Sequence, residues 1–298
     1  MATTNAGTPR TGMTLAVVGC GIMGTAILSC VMDSCAKARE AGEEPRITKF
    51  IACVNSKGSA ERLKSRFKNN LNRLTVLQQD NVRGMKEADI VLLGCKPYMA
   101  KMVLTAVGVR EALKGKLVIS VLAGTPVPKM QSLIWGQSED NKAESQCFVV
   151  RGMCNIAAEF GQSMTVIETI DMPEDLMELT NWIFLQLGKT APIAPDLFDI
   201  GGVLAGPSGV FLSVAIDGIL DGAVSQGLKR AQARTMMTQS LVGLARLLEQ
   251  GNTPDQLREK FSSPRGTTIA GLLSLEEDRV RYAFSKAVIA SAHRSETM

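Results

Sequence analysis

Histidine is nearly missing from this chain: the single residue, His293, stands close to the C-terminal end. One imidazole so far from every other motif cannot assemble a Ser-His-Asp set or a histidine metal cluster, so a surface or packing role is expected for it. Aromatic residues are also scarce at 4% of the chain, which leaves little material for a platform that stacks bases. Charge of either sign hardly dominates. The net charge is +4, and the lysines and arginines are scattered without interleaved aromatics, so no nucleic-acid partner is indicated.

The 7 cysteines (Cys20, Cys30, Cys35, Cys53, Cys95, Cys147 and Cys154) include no CxxC spacing, and their number is odd. Neither a zinc or other metal site nor a disulfide framework is indicated. Several lie in apolar runs, where reduced cysteine behaves as a small hydrophobe. The stretch Met1 to Met13 is polar and small, with one basic residue, Arg10, and no apolar signal core. A cytoplasmic location is expected from both. An uncharged run of 17 residues, Ile200 to Ile216, contains Gly201-Gly202 and Pro207 and is flanked by Asp199 and Asp217. It falls short of the roughly 20 residues that span a bilayer. The reading is a helix buried on all sides, in a core or a subunit interface, and no membrane is expected.

What is present is an ordinary globular composition, 45% hydrophobic and 21% charged over 298 residues, enough for one or two domains. The 27 glycines and 15 methionines suit closely packed helices. One turn organises the first half: Leu15-Ala16-Val17-Val18 runs into Gly19-Cys20-Gly21-Ile22-Met23-Gly24, and a helical pattern begins at once. In a strand–G-x-G-x-x-G–helix unit the first glycine turns the strand and the second lets backbone approach a pyrophosphate. The third lets helix and strand pack closely. The helix N-terminus supplies free N–H groups and a positive dipole end for that anion. A dinucleotide site is therefore expected at Gly19 to Gly24.

The second strand, Ile47 to Val54, ends in Asn55-Ser56-Lys57, with Arg62 further along. A fold preferring NAD places a carboxylate there for the ribose 2′-hydroxyl, whereas Asn, Ser and Lys can donate to a 2′-phosphate. NADPH is expected ahead of NADH. Apolar strands then alternate with helices: Leu74 to Leu77, Ile90 to Leu93 ending in Gly94-Cys95-Lys96-Pro97, and Lys116 to Leu122 ending in Ala123-Gly124. Phe148 to Val150 runs into Arg151-Gly152-Met153-Cys154-Asn155, and an edge strand closes at Ile193. The alternation predicts a parallel, doubly wound sheet with helices on both faces. Ligands of such sheets bind beyond the strands' carboxyl ends, so Asn81, Cys95, Lys96, Pro97, Leu122, Ala123 and Gly124 are candidates for the cofactor site.

Beyond about Thr165-Val166-Ile167 the pattern turns mostly helical, apart from that edge strand. Thr253-Pro254-Asp255-Gln256 carries a capping hydroxyl, a first-turn proline and a capping-box glutamine. A second chemical cluster follows at Ser262-Ser263-Pro264-Arg265-Gly266-Thr267-Thr268, where a proline stops one helix and two hydroxyl residues open the next. Free N–H groups and hydroxyls at that terminus can form a small pocket for a carboxylate, or simply make a capped helix–turn–helix joint.

These residues together resemble the Δ1-pyrroline-5-carboxylate reductase family along almost the whole chain. Asp89 to Pro97 resembles its D-hydrophobics-x-x-K-P strand, Ser120 to Gly124 its IS-x-x-AG segment, and Arg151 to Asn155 its R-x-M-x-N. Asp217 to Gly227 resembles its D-A-x-x-D-G-x-V-x-x-G helix, Ser263 to Gly271 its S-P-G-G-T-T-I-A-G, and Ala287 to Ser295 its closing helix. The resemblance implies an α/β architecture: a Rossmann-type doubly wound sheet over residues 1–194, then an all-helical dimerisation and substrate domain over 195–298. It implies a homodimer whose interlocked partner completes the active site, with higher assembly of dimers left open. It also implies that Asn81, Lys96 and Pro97 border the cofactor and that Ser262, Ser263, Arg265, Gly266, Thr267 and Thr268 hold the substrate carboxylate. Three segments depart from the family: Arg265 replaces the second glycine of P-G-G, Gly202 to Val210 shifts a proline and loses hydroxyls, and Met153 to Ala157 alters M-P-N-T-P.

The implied activity is hydride reduction of a cyclic imine to L-proline by NADPH, with NADH as the alternative donor. It suits a chain with so little acid–base equipment, because an imine nitrogen protonates readily and the iminium accepts hydride directly. Thr268 is the candidate for a polar contact at the imine nitrogen or the carboxylate. Two rival functions stand beside it. A β-hydroxyacid dehydrogenase relative or other NADP-dependent imine reductase is disfavoured because Gly201 to Gln226 contains no lysine. A non-catalytic NADPH-binding regulator draws its support from Arg265 and the altered Gly202–Val210 segment.

Overall fold

A computed structural model of the chain describes residues 10–136 and 146–296. Most of the N-terminal stretch read as lacking a signal core lies outside the described residues. Eight strands form one sheet: β1 (Met13–Val18), β2 (Ile47–Val54), β3 (Leu74–Gln78), β4 (Ile90–Leu93), β5 (Leu117–Ser120), β6 (Phe148–Met153), β7 (Ser163–Glu168) and β8 (Gly188–Ile193). Their spatial order is β3-β2-β1-β4-β5-β6-β7-β8. The first six are parallel throughout, in the order expected of a dinucleotide-binding sheet.

Side chains alternate faces along a strand. In β1, Leu15 and Val17 therefore enter one apolar cluster while Ala16 and Val18 enter another. Helices α1 (Ile22–Glu40), α2 (Lys57–Arg66) and α7 (Glu174–Leu185) cover the first face. The second is covered by α3 (Asn81–Glu87), α4 (Ala100–Leu104), α5 (Val109–Leu113) and α6 (Val127–Trp135). In both clusters the strand residues are almost fully withdrawn from solvent, which is why these strands read as unbroken apolar runs.

The sheet is mostly parallel, as expected, and the exception is β7. It runs antiparallel to β6, with Gly152 opposite Ile167 and Met153 opposite Val166. The link between them holds only a short 3₁₀ turn, Ile156–Phe160, too little chain for the crossover that a parallel pair requires. The crossover through α7 then restores β8 parallel to β7.

The chain divides into two compact units, one reaching Gly206 and rejoined by the residues from Arg294, the other Pro207–His293. The first includes α8 (Phe198–Ala205), whose Phe198 is buried beside Val166. The second is helical: α9 (Ser208–Ser225), α10 (Arg230–Glu249), α11 (Pro254–Phe261), α12 (Thr267–Glu277) and most of α13 (Val280–Glu296). The capping box at Thr253 and Gln256 is present as expected, with Thr253 N–H donating to Gln256 Oε1 at 3.0 Å. Arg230 pairs with both Asp217 and Asp221, tying the start of α10 to α9.

The reading of Ile200–Ile216 as a single helix is corrected. The run breaks at Gly206-Pro207 into α8 and α9, and Leu204, Val210, Leu212 and Val214 are exposed in the single chain. The stretch Pro195–Ser225 is long and apolar enough by composition to cross a membrane, with a mean hydropathy of 1.8, yet only 17% of that window is buried within the chain. Val242, Leu244, Leu273 and Ile289 extend the exposed apolar surface over α10, α12 and α13.

Candidate functional site

The glycine turn leaves β1 with each glycine held for a different reason. Gly19 has φ +96°, and a Cβ there would stand 2.4 Å from the Cys95 backbone nitrogen. At Gly24 a Cβ would stand 2.4 Å from the Gly19 carbonyl oxygen. Gly21, which caps α1, has nothing within 4 Å of that position. The outer two glycines are thus demanded by the fold, and the middle one opens onto free space where a ligand's phosphates could approach.

That space is a cleft of about 310 Å³ at the carboxyl ends of β1, β2 and β4. Gly19, Cys20, Gly21, Asn55, Asn81, Cys95 and Lys96 line it, as the sequence leads one to expect. So do Arg62, noted in the sequence as a basic residue beyond the end of β2, and Ser59 and Gln79, which the sequence pattern did not place there. No aspartate or glutamate is among the lining residues, and Arg62 and Lys96 are. A smaller cleft of about 240 Å³ adjoins it over the first turn of α1, lined by Ile22, Met23, Arg62, Arg66 and Glu159 among others. Gly21 and Arg62 belong to both.

Two residues expected at the cofactor do something else in this structure. Ser56 caps α2, its hydroxyl accepting from Ser59 N–H at 3.2 Å. Lys57 stands in solvent 3.9 Å from Glu61, a surface pair one helical turn apart. Neither lines the cleft. Pro97 opens the 3₁₀ turn after Lys96. Leu122 turns its side chain into the core, leaving backbone at Ala123 and at Gly124, whose φ is +63°, on the carboxyl side of β5. The signal for Ser59 and Arg62 was helical spacing: residues three apart on α2 share a face.

Burial controls the thiols here. Removal from water pushes Cys53 up to about 12, with Asp80 adding to the shift, and pushes Cys20 higher still. Cys95 is raised by the same cause. All seven cysteines are free, so these groups serve as packing rather than as nucleophiles at neutral pH.

In the helical unit, the joint after α11 is a tight turn. Gly266 N–H donates to the Ser263 carbonyl at 2.9 Å, and Arg265 has φ +60°, a left-handed conformation that favours glycine. Gly266, not a threonine, caps α12, and Thr267 and Thr268 form its exposed first turn. The Ser262 Oγ is buried without a hydrogen-bond partner.

Residues 195–298 match the family model described as "Pyrroline-5-carboxylate reductase dimerisation", and residues 14–124 match one described as "NADP oxidoreductase coenzyme F420-dependent". A Lophium arboricola protein named pyrroline-5-carboxylate reductase is 40% identical over 288 residues, covering 93% of this chain and 90% of that protein. The chain belongs to the pyrroline-5-carboxylate reductase family. A family member from Schizosaccharomyces pombe is 31% identical, covering 91% of this chain and 94% of its own. The fold is shared with the solved Coxiella burnetii family member, at a TM-score of 0.79 and 22% identity over 96% of this chain and 98% of that one. It is shared equally with a Plasmodium falciparum pyrroline carboxylate reductase solved with NADP bound, at 0.78 and 22% over 97% and 98%.

Within the family frame, the Arg151-to-Asn155 motif acquires a structural meaning. Arg151 is buried against Glu168, and Asn155 Nδ2 donates to the Ala205 carbonyl at 2.6 Å, holding the end of α8 to the turn after β6.

Proposed function

We propose that this protein reduces 1-pyrroline-5-carboxylate to L-proline with NADPH. The observation that carries the reading is the cleft behind Gly19–Gly24, open at Gly21, bordered by Arg62 and Lys96 and free of carboxylates. Such a lining fits a ligand bearing several phosphates. Backbone N–H groups at Gly21 to Met23 would meet the pyrophosphate at the amino end of α1. Asn55, Asn81, Cys95, Lys96 and the backbone of Ala123 and Gly124 would border the rest of the dinucleotide.

NADPH, when bound, supplies the hydride for the imine carbon. The chain's own task is binding and orientation, because the imine nitrogen takes its proton readily and needs no strong acid beside it. The joint Ser262–Thr268 offers the substrate carboxylate the unpaired N–H groups at the start of α12, with the hydroxyls of Ser262, Ser263, Thr267 and Thr268 and the cation of Arg265. Thr268 is the proposed donor at the carboxylate or the nitrogen. The division of labour runs at residue 194, nucleotide before it and helical substrate and dimer region after it.

The dimerisation region makes a homodimer the working form, and the exposed apolar residues of α9, α10, α12 and α13 are the surface a second copy would cover. Reduced cysteines and a scattered charge fit a cytosolic enzyme with no nucleic-acid or membrane partner.

Purified protein should oxidise NADPH only when pyrroline-5-carboxylate is added, forming one L-proline per NADPH. Tight nucleotide binding with no turnover would instead support the regulator, whose structural argument is the left-handed Arg265 in the joint.

A further inference from the structure

We propose that Arg62 is the residue that selects the phosphorylated dinucleotide, by holding the phosphate on the adenosine ribose 2′-oxygen. The assignment rests on the NADPH reading above. Arg62 lies on α2 one turn after Ser59, so the two present to the same side of the helix. Both line the main cleft with Asn55, at the end of β2 where the adenosine ribose of a dinucleotide lies. Its Nη2 donates to the Cys20 carbonyl at 3.1 Å, which fixes the guanidinium against the glycine turn and uses one of five donors.

Of the other cations near this place, Lys96 lies at the end of β4 rather than β2, and two on α2 are committed elsewhere. Lys57 faces Glu61 at 3.9 Å, and Arg66 faces Glu159 at 3.3 Å. Among the described residues no carboxylate pairs with Arg62, and none lines the main cleft; Glu159, in the adjoining cleft, is the one held by Arg66. A ribose 2′-hydroxyl would seek an acceptor at this place. The lining offers an amide, a hydroxyl and a positioned guanidinium, which suit a phosphate monoester dianion. Arg62 thus completes the site that Lys57 occupies by sequence order alone.

The test is direct binding by the full-length protein of 2′,5′-ADP, 5′-AMP, NADPH and NADH, alongside imine reduction with each dinucleotide. Arg62→Ala should weaken 2′,5′-ADP and NADPH by about 10- to 100-fold, the range for a lost charge-assisted contact, while 5′-AMP and NADH move less than about twofold. Arg62→Lys should recover part of the loss. Lys64→Ala, an exposed cation on the same helix, controls for net charge. Equal weakening of phosphorylated and unphosphorylated nucleotides would mean that Arg62 only braces the Cys20 carbonyl, and no change in either would remove it from the site; both overturn the assignment. If the wild type reduces no imine yet binds 2′,5′-ADP through Arg62, the functional reading fails and the assignment stands.

Discussion

Arg151 and Glu168 meet across the antiparallel pair β6–β7 in a two-pronged contact, Nε to Oε2 at 2.7 Å and Nη2 to Oε1 at 2.9 Å. Each side chain is 6% exposed, and the guanidinium lies 4.1 Å from the centre of the Phe198 ring. The two charges were costly to desolvate and remain tolerable only together. Glu168→Gln or Arg151→Met should each cost about 3–5 kcal/mol, because a buried partner is left unbalanced. Replacing both, Arg151→Met with Glu168→Leu, should cost clearly less than the sum. Urea-denaturation midpoints across this double-mutant cycle check it, and strictly additive losses would refute the coupling.

The three glycines of the turn should separate stability from binding. Gly24→Ala places a methyl 2.4 Å from a backbone oxygen that cannot step aside. A loss of about 1–3 kcal/mol is expected, as for overpacking elsewhere. Gly21→Ala meets nothing in the free protein, so its melting temperature should stay close to wild type while NADPH affinity falls sharply. Thermal melts with and without nucleotide distinguish the two variants.

Arg265 sits at φ +60°, where a Cβ costs about 1–2 kcal/mol. Glycine would relieve that strain but enlarge the freedom of the unfolded chain by about 0.4–1 kcal/mol. Relief of the strain outweighs the added freedom. Arg265→Gly should therefore stabilise the helical unit by about 0.5–1 kcal/mol, while Arg265→Ala keeps the conformation and should not. If Arg265 also contacts the substrate carboxylate, both variants raise KM for the imine; chemical denaturation and steady-state kinetics read the two effects separately.

Buried thiols give the protein an alkaline weakness. Burial raises Cys53 and Cys154 from 9.0 to about 12, and Cys147 from 9.0 to about 11. Groups whose values are raised on folding hold extra protons in the native state, so their contribution is complete below about pH 9 and lost as pH climbs toward 12. Unfolding midpoints should be level across neutral pH and fall between about pH 9 and 11. Cys53→Ala should flatten that decline, although its cavity lowers stability at every pH.

Thr268 is the second residue of α12, and its side chain is exposed. Thr268→Ala should lower kcat/KM for the imine by about 10- to 100-fold, as expected for a lost contact to a charged group, and leave NADPH affinity within about twofold. Thr268→Ser should keep most of the activity, since the hydroxyl remains. Unchanged proline formation by the alanine variant would remove Thr268 from the site.

Much of this molecule is written in short-range pattern. The run before Gly19, the helix after Gly24, the strand Ile47–Val54 and the capping box at Thr253 are each set by residues within a few positions of one another, so one-dimensional reading finds them. The parallel alignment of the first six strands follows from repeated strand–helix–strand units, but their spatial order, with β4 returning beside β1, is set by tertiary packing. The direction of β7 does not, because it depended on how little chain links Met153 to Ser163. Lys57 looked like the natural cation after β2, yet α2's winding put Arg62 over the glycine turn and left Lys57 in solvent. Arg151 read as part of a motif, and only folding supplied Glu168 to neutralise it. The uncharged run from Ile200 read as one buried helix, but its burial depends on what lies against it, and one chain alone leaves α9 largely uncovered. Local sequence decided which segments are strand, helix or glycine turn; the choice of facing partners, and so of which charges stand free at the cleft, belongs to contacts between segments far apart in the chain.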